Sequence, residues 1–143
     1  MIGVIFSIIA GAAMSFQGVF NTRLSEKIGL FESNAFVQGS AFVLSLIVLM
    51  FAGKGTFRNI METEKIYLLG GAIGIVITAA VMLGIKNLSP TVAISVILIA
   101  QLLVAAFIDM FGLFGAEKVA FGWSKYVGMI MMIGGVLLFK LKN

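Results

Sequence analysis

Charged positions fall in clusters along this chain, and the stretches between the clusters hold almost none. Ile2 to Asn21, Ser33 to Ala52, Ile66 to Ile85, Pro90 to Phe111 and Ser124 to Phe139 are predominantly apolar. They show neither the two-residue alternation of a half-buried strand nor the polar face of a surface helix. Several run for roughly 18 to 22 residues without a charged side chain, the length needed to cross a bilayer core. Backbone in hydrocarbon must satisfy its own hydrogen bonds, so each span is predicted to be helical. The expected fold class is therefore an all-α integral membrane protein with five transmembrane helices, residues 1–143 forming a single five-helix domain.

The segments between the spans, "RLSEKIGLFE", "GKGTFRNIMETEK", "KNLS" and "GLFGAEKVAFGW", carry nearly all the charge. Ser89 is placed to cap a helix that opens on Pro90, the position where a missing N–H costs nothing. Tyr67, Trp123 and Tyr126 fall at span ends, where aromatic belts sit. The N-terminus lacks a basic n-region, and its apolar run continues through Phe20, past an "AGAA" that resembles a cleavage site. It is expected to be retained as the first helix. Many of the 17 glycines lie inside spans, where small residues let membrane helices approach; Gly70 and Gly74 fit a packing face within the protomer as well as a dimerisation motif.

Composition removes most familiar chemistry. The chain is 61% hydrophobic and 11% charged, with no cysteine and no histidine, which excludes disulfides, thiolate and imidazole metal sites and histidine-dependent triads. No acid, base and nucleophile constellation exists beyond one carboxylate, Asp109, so no catalytic residue, cofactor or metal is expected, and an enzyme is not the expected class. Met129, Met131 and Met132 read as lipid-facing or core residues rather than a metal site. The net charge of +4 comes from ten scattered Lys and Arg residues that cannot assemble a basic face, so no nucleic-acid partner is expected. The expected partners are membrane lipid and a small-molecule substrate.

The same ten cations raise a question of orientation. With five spans, one side of the membrane receives Lys54, Arg58, Lys65, Lys118 and Lys125, and the other Arg23, Lys27, Lys86, Lys140 and Lys142, five against five. Orientation normally follows an excess of Lys and Arg in cytoplasmic loops, and here there is none. Either one orientation wins for other reasons, or the chain inserts both ways and pairs with an inverted copy of itself. The second arrangement, an antiparallel homodimer of ten helices, reproduces with two chains the inverted repeat of many secondary transporters, whose substrate site lies near the midplane.

Polar side chains within the spans are few. Gln17 and Asn21 share a helix face by their spacing of four. Gln38 lies about 7 Å into the second span, in the same half of the membrane. Gln101 and Thr78 fall near the bilayer centre. Asp109 lies about 28 Å beyond Pro90, near the far end of its span. In an inverted pair, Asp109 of one chain reaches the level of Gln17, Asn21 and Gln38 of the other, which makes these groups candidates for a shared substrate-binding cavity. Amides in membrane helices also serve simply as inter-helix hydrogen bonds, and Asp109 is also placed to act as counter-ion to Lys118 or Lys125 across its loop. No carboxylate sits at mid-helix, so a neutral or zwitterionic substrate read by amides and hydroxyls fits better than a lipophilic cation exchanged against a proton.

"FQGVFNTRL" in the first span, "FVQGSAF" in the second, "LGGAIG" opening the third and "AQLLVAAFIDMFGLFG" across the fourth resemble the YdcZ-type family, the half-length branch of the drug/metabolite transporter superfamily. The glutamine followed by "IDxFGLxG" is the most specific part. The resemblance implies a five-helix half transporter of the bacterial inner membrane that works as an inverted homodimer or with a sister chain of opposite orientation. It carries over Gln17, Asn21, Gln38, Gln101 and Asp109 as the family's polar positions, and Lys125 is the nearest match to a basic residue that often precedes the last span.

Three functions compete on this reading. The leading expectation is a secondary transporter moving a small polar or amphipathic metabolite by alternating access. The alternative is a passive small-ion channel formed at an inverted interface. A third is a non-transporting assembly subunit, stable only with a partner protein.

Overall fold

A computed structural model of the protein describes residues 1–141, with side chains through residue 138. Lys142, counted above in the charge balance, lies outside the described residues. Five α-helices follow one another: α1 (Ile2–Ile28), α2 (Leu30–Ala52), α3 (Gly70–Asn87), α4 (Pro90–Phe111) and α5 (Trp123–Leu141). Four stretches, Ile2–Ile28, Leu30–Ala52, Lys65–Asn87 and Pro90–Phe111, are long and apolar enough to cross a membrane, and Trp123–Leu138 is a shorter apolar helix. The protein is an all-helical membrane protein. Its contacts divide it into two compact units, Met1–Lys86 and Asn87–Asn143.

In the first unit, α1 runs to Ile28 rather than ending near Asn21, and α2 begins at Leu30 rather than Ser33. The polar stretch expected to be a loop is helical on both sides of a single residue, Gly29. Two features extend α1. Arg23 and Glu26 pair at 3.1 Å one turn apart, and Lys27 sits in the last turn, where a cation complements the helix dipole. The reversal itself needs glycine, because Gly29 adopts φ 102 and ψ 158, a region closed to residues with a Cβ. Its N–H donates to the Ser25 carbonyl at 3.0 Å, and its own carbonyl accepts from Ser33 N–H at 3.1 Å, so one residue closes α1 and opens α2.

Gly18 on α1 faces α3. A Cβ there would lie 2.9 Å from Ile85 Cδ1 and 3.1 Å from Val81 Cγ1, so the bare backbone leaves room for the tips of both side chains. Entry into α3 also differs from expectation. Lys65–Leu69 forms a 3₁₀ turn and the α-helix starts at Gly70, not Ile66.

In the second unit, α4 matches its predicted bounds, and the Ser89 hydroxyl accepts from Val92 N–H at 3.4 Å as the cap. Gly112, at φ 65 and ψ 39, closes α4 in the left-handed conformation, with its N–H on the Ile108 carbonyl. The chain then folds back, Val119 N–H donating to the Asp109 carbonyl at 3.0 Å. This holds the α4–α5 connection over the end of α4.

Candidate functional site

Hydroxyls and amides meet the membrane differently. A serine or threonine in a helix can return its proton to the carbonyl one turn back. Ser7 does so to Gly3, Ser15 to Gly11, Thr22 to Gly18, Thr78 to Gly74 and Ser95 to Thr91, all at 2.7 to 3.0 Å. These groups are satisfied wherever they point. An amide has two donors and two lone pairs, more than its own helix can take, so the amides are the groups that indicate a site.

Two of them sit at the seam of α2 and α3. The Gln38 amide donates to the Thr78 hydroxyl at 3.2 Å, so two predicted site residues are brought together. Gly74 belongs to this seam as well, since a Cβ there would lie 3.6 Å from Gln38 Nε2, whereas a Cβ on Gly70 would meet nothing within 4 Å. One turn before Gln38, Asn34 donates to the Ile75 carbonyl at 2.9 Å. Asn34 is only 4% exposed, and its Oδ1 is buried without a hydrogen-bond partner among the described residues. A buried amide oxygen left unpaired is costly, so it calls for a partner such as a water, an ion or a bound solute.

Asn21 is buried beside this seam. Its carbonyl accepts from the Ser33 hydroxyl at 3.3 Å, and that hydroxyl also lies 3.6 Å from the Met82 sulfur. Gln17, on the same face of α1 one turn earlier, is exposed. Asn34 and Ser33 are absent from the sequence-based set. Asn34 stands at i−4 from Gln38, the spacing that singled out Gln17 and Asn21, and this was the available signal. Because α2 starts at Leu30, Gln38 lies deeper than expected, eight residues or about 12 Å into its helix.

The second unit carries Gln101 and Asp109. Gln101 is exposed on α4. Asp109 faces a cavity of about 320 Å³ between α4 and α5, and Lys125 and Phe121 line the same cavity. Asp109 forms no ion pair with Lys118 or Lys125; the one ion pair among the described residues is Arg23–Glu26. Lys125 instead places Nζ 4.7 Å from the centre of the Phe121 ring, and the Tyr126 ring packs edge to face with Phe121, their centres 5.6 Å apart. Met129 and Met132 line the cavity wall, while Met131 is 71% exposed.

Helices of this length and apolarity define a multi-pass membrane protein. The chain belongs to the YdcZ family: the family model described as "Putative inner membrane exporter, YdcZ" matches residues 2–138. It is accordingly a multi-pass protein of the inner membrane. No curated protein and no solved structure matches the chain.

Proposed function

We propose that this protein is a secondary transporter that moves a small polar or amphipathic solute by alternating access. In this reading, residues 1–143 act as one five-helix unit that pairs with an inverted copy of itself. The observation that carries the proposal is the Asn34, Gln38 and Thr78 seam, with its buried and unpaired Asn34 Oδ1. A purely structural amide would be expected to close its hydrogen bonds within the fold. The balance of five basic residues against five across the membrane, read from the positions of the ten Lys and Arg, supports insertion in both orientations. Inversion brings Asp109 of one chain into the half of the membrane that holds Gln17, Asn21 and Gln38 of the other, and Gln101 supplies an amide near the midplane.

The test is solute flux into proteoliposomes from a panel of labelled amines, amino acids and short amphiphiles. A transporter gives saturable uptake that Gln101→Leu abolishes. Ion conductance in planar bilayers far above a carrier's turnover would instead establish the channel, and stability only with a second protein would point to the assembly subunit.

A further inference from the structure

The cavity between α4 and α5 has an unusual distribution of charge. Asp109 sits in the last turn of α4 and Lys125 in the first turn of α5, so both line the end of the cavity nearest the connecting loop. Each opposes its own helix dipole: a carboxylate is disfavoured at a helix C-terminus, and an ammonium at an N-terminus. They form no direct ion pair with one another. Helix stability therefore explains neither position. Away from this mouth the lining changes to Leu102, Ala105 and Ala106 on α4 and Gly128, Met129 and Met132 on α5. Leu102 is seven residues from Asp109 and Met132 seven from Lys125, so both walls extend about 10 Å inward from the charges. The small side chains of Ala105, Ala106 and Gly128 leave the space open, and the methionines line it with adaptable apolar surface.

We infer that this cavity binds a single-chain zwitterionic amphiphile, its cationic group on Asp109, its anionic group on Lys125 and its apolar chain along the methionine wall. Charge complementarity sets the head group, because one mouth presents a carboxylate and an ammonium that are not joined in an ion pair. The Phe121 ring holds the Lys125 ammonium at the cavity wall. Size selects one chain: a volume of about 320 Å³ equals roughly ten liquid waters, which suits a short amphiphile and not a diacyl lipid. The site needs only α4 and α5, so binding does not depend on the inverted pair. Identifying the ligand as cargo does rest on the transport reading above.

The test is equilibrium binding of radiolabelled octyl betaine to the full chain in nanodiscs of phosphatidylglycerol, a lipid without a zwitterionic head, with empty discs as the partition control. Octyltrimethylammonium and octanoate serve as competitors bearing one charge each. Saturable binding is expected, with each competitor at least about tenfold weaker than unlabelled octyl betaine, since octyltrimethylammonium loses the hydrogen bond from Lys125 and octanoate loses the ion contact with Asp109. Asp109→Asn should weaken betaine and octyltrimethylammonium by about tenfold and spare octanoate. Lys125→Met should weaken betaine and octanoate and spare octyltrimethylammonium. Gly128→Leu should remove all three, and because it risks disturbing the helix pair, the two charge variants are the decisive ones. Uptake equal to that of empty discs, or charge variants without selectivity, overturns the inference and leaves the transport reading standing. Displacement of betaine by phosphatidylethanolamine added to the discs also overturns it, in favour of a membrane lipid. Selective binding without flux would sink the transport reading while upholding the site.

Discussion

Replacing Asn34 with leucine gives an unusual expectation for a polar residue that is 4% exposed. The substitution removes one hydrogen bond, from Nδ2 to the Ile75 carbonyl at 2.9 Å, and inter-helix bonds of this kind in membranes are worth about 0.6 kcal/mol on average. It also removes Oδ1, a buried acceptor with no partner among the described residues, whose burial costs about 1 to 3 kcal/mol. The second quantity exceeds the first. Asn34→Leu should therefore leave the fold between unchanged and about 2 kcal/mol more stable, while lowering solute flux. Stability would be followed by dodecyl sulfate titration in mixed micelles, with Trp123, the single tryptophan, as the fluorescent reporter. A loss of more than about 1.5 kcal/mol would refute the reasoning, because it would mean that Oδ1 is paired in the assembled protein and acts as structural glue. Unchanged flux in the leucine variant would equally remove Asn34 from the site.

Two further substitutions test the first unit. Gly29→Ala should destabilise by about 1 to 3 kcal/mol, since its φ of 102 excludes a Cβ that would also overlap the Glu32 carboxylate; adding Glu32→Ala should relieve the overlap but leave the backbone cost, as read in the same titration. Gln38→Leu should cost only about 0.6 kcal/mol, because Thr78 keeps its bond to the Gly74 carbonyl, yet it should reduce flux in the same proteoliposomes.

The positions of the helices were legible because hydrocarbon permits the backbone few alternatives. Pro90 and Ser89 fixed the start of α4 by a local mechanism, a cap and a ring-locked first residue. Helix ends rich in charge were less legible. A cluster such as "RLSEK" reads as loop by composition, yet it continues α1 through an Arg23–Glu26 pair, and the reversal rests on the backbone freedom of Gly29 alone. Of the candidate site, Gln38 and Thr78 could each be placed in a span by counting, but their meeting could not, because it depends on how α2 packs on α3. Asn34 escaped notice because its importance lies in an unpaired oxygen, a property of packing. The Asp109 and Lys125 mouth was half legible: both charges were visible near the loop, where pairing across it was one reading. The structure instead sets them, unpaired, along one cavity.

The central claim, that two identical chains pair in opposite orientations, is tested most directly by the side of the membrane on which one loop lies. The chain has no cysteine, and a Cβ on Gly55, in the loop after α2, would meet nothing within 4 Å, so Gly55→Cys introduces a lone accessible thiol. Labelling with a membrane-impermeant maleimide would be compared between intact, outer-membrane-permeabilised cells and lysed cells. The balance of basic residues predicts that about half of the thiols react from outside. Labelling confined to one side would contradict the inverted homodimer and direct attention to a sister chain of opposite orientation.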